Sequence, residues 1–243
     1  MAADAPTILA TSGGIVPGKR TTWSVAPLTT YAVELAGVNG RSPKVCYLGT
    51  AGGDNPQGIR DFYDLANVAG FHGSHLQLFT MPNVEDVREH LLAQDVIWVL
   101  GGSVAGLLAM WQLHGVDDVM REAWEAGVVL TGISAGSICW HVGGTTDSFG
   151  PDLKPITNGL ALLPYSNGVH YDSEEQRRPL FHSLIADGTL PAGYATDDGV
   201  GVLYRGTEFV EALSEKDGAG AYWVERAPDG TAVETPLETR LLG

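Results

Sequence analysis

The sequence predicts an α/β fold: a doubly wound, mostly parallel sheet flanked by helices, with β hairpins toward the C-terminal end. Three observations carry that reading. Short Val/Ile/Leu-rich runs alternate with amphipathic segments over the first two thirds of the chain. Most of these runs stop at glycine, and glycine fills 32 of 243 positions, about twice its usual share of roughly 7%. Short apolar runs bounded by glycine read as strands buried on both faces. Strand–helix alternation then closes a sheet through right-handed crossovers.

The runs are residues 7–10, ending at Ser12-Gly13-Gly14; 45–48, ending at Gly49-Thr50-Ala51-Gly52-Gly53; 76–79; 96–100, ending at Gly101-Gly102-Ser103; and 128–131, ending at Gly132. Between them, residues 29–36, 59–68, 84–92, 105–113 and 116–126 space apolar side chains three and four apart, as helices do. Asp117 suits the first turn of the last helix, where the dipole favours an acid. Residues 143–168 are rich in Gly, Pro, Asn and Thr and predict a long irregular excursion. A helix over 179–186 follows, then β-type runs at 199–204, 208–212 and 221–224, with Arg205-Gly206 and Asp217-Gly218 as hairpin turns. No low-complexity linker interrupts the chain, so one domain over residues 1–243 is expected.

Composition excludes several classes. Fourteen Lys and Arg against 29 Asp and Glu leave a formal charge of −15, which disfavours nucleic acid and anionic membranes as partners. Charged residues are 18% and hydrophobic ones 44%, so this is no disordered acidic tail. Two cysteines, Cys46 and Cys139, make neither a disulfide framework nor a four-thiolate zinc site. The first eleven residues lack a basic signal-peptide start, and no run nears 18 apolar residues. A cytoplasmic protein without a metal is the expectation.

The chemistry gathers around Gly132-Ile133-Ser134-Ala135-Gly136. This Gly-x-Ser-x-Gly falls between a predicted strand and a predicted helix, the context of a nucleophile elbow. A sharp turn there lifts the Ser134 hydroxyl above the sheet, and the helix N-terminus offers N–H groups, including that of Ala135, to an oxyanion. The bland alternative is a Gly-rich turn with Ser134 as helix cap. A nucleophilic serine needs a base. Of seven histidines, His72, His75, His90 and His114 precede the elbow. His141 is expected two turns along the same helix, pointing away, and His182 lies inside a helix. His170, after Gly168-Val169 and before Tyr171-Asp172, is best placed. The orienting acid has several candidates, among them Asp172, Glu174 and the pair Asp197-Asp198 before Gly199, and sequence alone does not choose between the last two. Gly101-Gly102-Ser103 offers a second oxyanion N–H; it lacks the glycine patterns of a nucleotide site. Trp111, Trp124, Trp140 and Cys139 read as helix residues packed in the core.

Val96-Ile97-Trp98-Val99-Leu100-Gly101-Gly102-Ser103, Gly132-Ile133-Ser134-Ala135-Gly136-Ser137, His170-Tyr171-Asp172 and Thr196-Asp197-Asp198-Gly199, in that order, resemble the peptidase E family of serine peptidases (peptidase family S51, the aspartyl dipeptidase and cyanophycinase group). The resemblance covers residues 45 to about 224. It implies a fold related to class I glutamine amidotransferases, no cofactor, a small peptide substrate, and a homodimer as the family habit. It implies Ser134 as nucleophile and His170 as general base. Asp198 stands at the acid position, where the dipeptidase branch has Glu, and Gly102 and Ala135 supply the oxyanion N–H groups.

Two departures stand out. The family's Gly-Gly-Gly-Asn reads Leu100-Gly101-Gly102-Ser103, which puts Ser103 at the pocket rim. The Arg that holds an aspartyl substrate is replaced by Glu174, and an acid there repels such a substrate. Arg177 and Arg178 lie close enough in sequence to stand in, although a solvated helix start is their default reading. Ser103, Asp172, Glu174, Arg177 and Asp197 are therefore the substrate-binding candidates, with preference set by loops 52–58 and 143–178. The expected activity is a serine exopeptidase of dipeptidase type. The alternatives are a cyanophycinase-type isopeptidase or other amide hydrolase, and a non-catalytic binding protein on the same scaffold.

Overall fold

The computed structural model describes residues 3–243. Its first half runs β1 (Thr7–Thr11), β2 (Ile15–Pro17), β3 (Trp23–Val25), α1 (Pro27–Glu34), β4 (Lys44–Leu48), α2 (Pro56–Ala69), β5 (His72–Leu76), α3 (Val87–Leu92), β6 (Val96–Val99), α4 (Val104–His114), α5 (Val116–Glu125) and β7 (Val129–Ile133). Its second half runs α6 (Ala135–Ile138), β8 (Gly143–Thr146), β9 (Lys154–Ile156), β10 (Ser166–Gly168), α7 (Arg177–Ala186), β11 (Gly193–Thr196), β12 (Val200–Arg205), β13 (Glu208–Ser214), β14 (Ala221–Arg226), β15 (Ala232–Leu237) and β16 (Thr239–Leu241).

Eight strands form one sheet in the order β16-β13-β12-β1-β7-β6-β4-β5. From β1 to β5 every pairing is parallel, while β12 meets both β1 and β13 antiparallel. Its central strands are buried on both faces, as the apolar runs require. On β4 and β6, Cys46, Leu48, Ile97 and Val99 pack with Leu107, Trp111 and Met120 of α4 and α5. The alternate residues Val45, Tyr47, Val96 and Trp98 pack with Phe62 and Leu65 of α2. That period of two, with helices on either side, is the physical content of a doubly wound sheet. Asp117 sits in the first turn of α5, as expected.

The structure differs from the sequence reading in several places. The third strand is His72–Leu76 rather than 76–79; it lies at the sheet edge, where half-exposed polar residues are tolerated, so its apolar signal is weak. Residues 143–168 are not one irregular excursion. They contribute β8, β9 and β10 to a second, six-stranded sheet ordered β15-β14-β11-β10-β8-β9. Small residues are forced there: a side chain on Gly143 would run into the Ile156 carbonyl of β9, and one on Gly193 into the Ser166 carbonyl of β10. Asp217-Gly218 does not turn a hairpin, because β13 belongs to the eight-stranded sheet and β14 to the six-stranded one. Helix α6 is four residues long, so Cys139, Trp140 and His141 lie beyond it. All three are buried.

Candidate active site

Ser134 sits at the junction of β7 and α6 with φ 57° and ψ −110°. Four non-glycine residues among those described have positive φ, and Ser134 and His170 are two of them. Such backbone costs on the order of 1–3 kcal/mol and persists only where its surroundings hold it. Here β6 does the holding. A Cβ on Gly132 would lie 2.7 Å from the Val99 carbonyl oxygen, and one on Gly136 would collide with the same atom. The elbow therefore rests directly on the neighbouring strand, and both glycines of the motif are sterically required. Ala135 begins α6, so its N–H has no acceptor within the helix. Across from it, Gly101 follows β6, and a Cβ there would stand 3.3 Å from the Ser134 Cβ. Gly102 has φ 138°, and a Cβ on it would lie 2.7 Å from the Ala51 carbonyl carbon.

His170 follows β10 of the other sheet, with φ 52°. Its Nδ1 lies 2.5 Å from Asp198 Oδ1. Burial alone would raise the Asp198 carboxyl, but hydrogen bonds from His170 and Ser173, with the nearby Lys216 charge, hold it below the ordinary value. Asp172 fixes that acid from behind, its Oδ1 accepting the Asp198 backbone N–H at 2.8 Å. Asp197 turns the other way. It is buried, and its Oδ2 accepts from the Gly220 N–H at 2.9 Å and the Tyr222 hydroxyl at 3.2 Å. Desolvation raises its carboxyl, with Asp172 adding to the rise.

Sequence reasoning missed the segment that ties these parts together. Thr11-Ser12 leaves β1 between the two sheets. The Thr11 carbonyl accepts the Ser134 N–H at 3.0 Å, and the Ser12 Oγ accepts the His170 N–H at 3.3 Å. The Ser12 carbonyl accepts the Gly199 N–H at 3.0 Å, and its hydroxyl lies 2.7 Å from Thr196 Oγ1. The available signal was the Ser12-Gly13-Gly14 ending of the first strand, which marks β1 as a loop-bearing end but not as a partner of His170.

The remaining candidates divide. Ser103 caps α4, its Oγ accepting the Gly106 N–H at 3.0 Å. Arg177 is not a solvated helix start: it is buried, its Nε donates to Glu174 at 2.7 Å, and another guanidinium nitrogen donates to the Thr145 carbonyl. Its charge is thus spent on a Glu174 that remains partly exposed, on the loop that leaves His170. His141, expected to point away along the helix, is buried past its end. Its Nδ1 lies 2.9 Å from the Ser137 carbonyl, and burial pushes it down to about 4, so it is neutral. His182 pairs with Glu234 at 3.0 Å, His75 with the Tyr63 hydroxyl at 2.8 Å, and His90 stands 3.5 Å from Cys46. Among the described residues, no group of three or more His, Cys, Asp or Glu is arranged to hold a metal, and no helix is long and apolar enough to cross a membrane.

Known proteins are similar to this chain in sequence and in fold. The chain is 41% identical over 201 residues, 83% of its length, to the uncharacterized peptidase YgaJ of Bacillus subtilis (strain 168), covering 86% of that protein. It is 28% identical over 152 residues to Peptidase E of Shewanella denitrificans (strain OS217), spanning 59% of this chain and 64% of that one. The crystal structure of a peptidase from an acI-B1 Actinobacterium superposes with a TM-score of 0.69 over 98% of this chain and 96% of that one, at 16% identity, a likeness of fold. The sequence profile of peptidase family S51 matches residues 8–212, and the chain belongs to that family.

Proposed function

We propose that this chain is a serine exopeptidase of dipeptidase type, acting on short peptides through Ser134, His170 and Asp198. The observation that carries the reading is the convergence on Thr11-Ser12: one short segment binds the backbones of Ser134, His170 and Gly199, and His170 in turn bonds Asp198. Ser134 Oγ attacks the scissile carbonyl carbon, and its proton passes to His170 Nε2. Asp198, ionised at neutral pH, fixes the tautomer that leaves Nε2 free and stabilises the imidazolium. The N–H groups of Gly102 and Ala135 receive the oxyanion. His170 gives its proton to the leaving amine as the C–N bond breaks, and water then releases the acyl group by the same route.

The test is a dipeptide panel read by mass spectrometry, with Ser134→Ala alongside. It includes Asp-Leu, Ala-Leu, Lys-Leu and the β-linked Asp-Arg isopeptide. Cleavage by the native chain and none by Ser134→Ala is expected. Undiminished cleavage by Ser134→Ala overturns the mechanism, and turnover confined to the β-linked peptide overturns the dipeptidase assignment.

A further inference from the structure

Directly beside the elbow lies a cavity of about 250 Å³ lined by Trp23, Tyr47, Gly58, Asp61, Leu100 and Gly101, among others. Gly101 is the shared wall: a Cβ added to it would reach to 3.8 Å from Ser134 Oγ. The cavity therefore adjoins the Ser134 hydroxyl, within reach of a side chain on a residue that flanks the bond presented to it. Two of the walls are aromatic. A Cβ on Gly58 would lie 2.8 Å from the Tyr47 hydroxyl and 3.6 Å from the Trp23 ring. The space between the two rings exists because helix α2 carries glycine there.

The third feature is Asp61. It is 5% exposed yet lines the cavity. Its Oδ1 accepts one hydrogen bond, from Gln57 Nε2 at 2.8 Å, whereas a carboxylate offers about four acceptor positions. Among the described residues no Lys or Arg pairs with it. Acceptor capacity on this carboxylate is therefore left for a group that enters the cavity. Tyr47 supplies no counter-charge: burial first, then Asp54 and Asp61, push its phenol up to about 12.

From this arrangement we infer that the cavity is a subsite for a cationic side chain, lysine or arginine, on the residue adjoining the scissile bond. The aromatic rings take the aliphatic stem and face the charge, and Asp61 pairs with the ammonium or guanidinium. The pairing of Arg177 with Glu174 agrees with this, since Arg177 is then not free to receive an acidic side chain. The inference rests on the assignment of Ser134 as nucleophile for its position in catalysis, but not for its binding chemistry.

Two measurements keep those parts distinct. Calorimetric titration uses free lysine and norleucine, which keeps the four-carbon side chain but lacks the ε-ammonium; neither needs turnover. Lysine is expected to bind the native chain at least tenfold tighter than norleucine, and Asp61→Asn is expected to abolish that difference. Gly58→Ala, which adds a good helix former while its methyl group enters the cavity, is expected to weaken lysine binding even if Asp61→Asn folds poorly. In the kinetic arm, the kcat/KM ratio of Lys-Leu, or of Leu-Lys, to Ala-Leu is expected to exceed ten and to fall at least tenfold in Asp61→Asn. Whichever lysine peptide responds locates the subsite on the acyl or the leaving side. Equal binding of lysine and norleucine by the native chain, or a lysine preference undiminished in both variants, overturns the subsite. Lysine binding that depends on Asp61 together with cleavage that survives Ser134→Ala would retain the subsite and discard the nucleophile.

Discussion

Asp197 and Asp198 are neighbours with opposite surroundings, and they show what a residue owes to its place in the chain. They stand at the turn between β11 and β12, closed by the Val200 N–H donating to the Asp197 carbonyl at 3.1 Å, and their side chains leave it in different directions. One carboxylate thus meets His170, and the other is buried against Gly220 and Tyr222. Sequence could name the pair but not the direction each takes, because that depends on where β10 and β14 pass. Asp198→Asn is expected to lower kcat by about 10²–10⁴, as loss of an orienting acid does, while Asp197→Asn costs less than about tenfold; the reverse order in steady-state kinetics would move the acid role to Asp197. The stability of Asp198 also has a definite sign with pH. Its folded value lies below the ordinary one, so the unfolded chain takes up the proton first as pH falls. The stabilisation is complete above the ordinary aspartate value and is lost as pH drops through the folded one. Asp197 works in the opposite sense, its raised value favouring the fold at lower pH and losing that favour as pH rises through it. Thermal melts of Asp198→Asn should therefore show a shallower loss of stability between about pH 5 and pH 2 than the native chain; an identical slope would mean that His170 does not hold that charge.

At the scale of elements, the elbow was the most legible part of the molecule and the edge strand and second sheet the least. Strand β7, its two glycines and the following helix start announce themselves because one steric fact, the contact of Gly132 and Gly136 with the Val99 carbonyl, restricts the residue types allowed. Gly136→Ala is expected to cost on the order of 1–3 kcal/mol through overpacking against rigid backbone and to lower activity by displacing Ser134, measurable as a shifted denaturation midpoint alongside kcat. A variant with native stability and native kcat would show that β6 leaves room there. Strands β8, β9 and β10 escaped the sequence reading for a physical reason. They are three or four residues long, and their closest contacts are backbone on backbone, as Gly143 against the Ile156 carbonyl shows. Gly- and Asn-rich strands carry little hydrophobic alternation, and it is alternation that a sequence displays. The same cause hid Ser12: a hydroxyl that bonds the backbone of a residue 158 positions away leaves no local pattern.

For the molecule as a whole, the proposed site lies where the two sheets meet. Ser134 ends a strand of the eight-stranded sheet, His170 follows a strand of the six-stranded one, and Asp198 lies in the turn by which β11 of the second passes into β12 of the first. The sequence displayed the first sheet and the order of the three residues but not the second sheet, so it could not place their meeting point. Charge acts on this same scale. With a formal −15, most acidic side chains have no basic neighbour, and their mutual repulsion opposes compaction. Against it stand exposed pairs such as Arg88–Glu122 and Arg240–Glu211, each worth about 0–1 kcal/mol at a surface. Salt screens both, shortening the Debye length from about 30 Å at 0.01 M to about 8 Å at 0.15 M. Adjacent pairs interact at short range and lose little, whereas the repulsion is summed over many longer separations and loses most. Raising sodium chloride from about 0.01 M to 0.15 M is therefore expected to raise Tm. Relief of about 1 kcal/mol corresponds to about 2–4 °C for a chain of this length. Scanning calorimetry at neutral pH reads it directly: a fall in Tm over that range would mean that the few surface pairs outweigh the excess of negative charge.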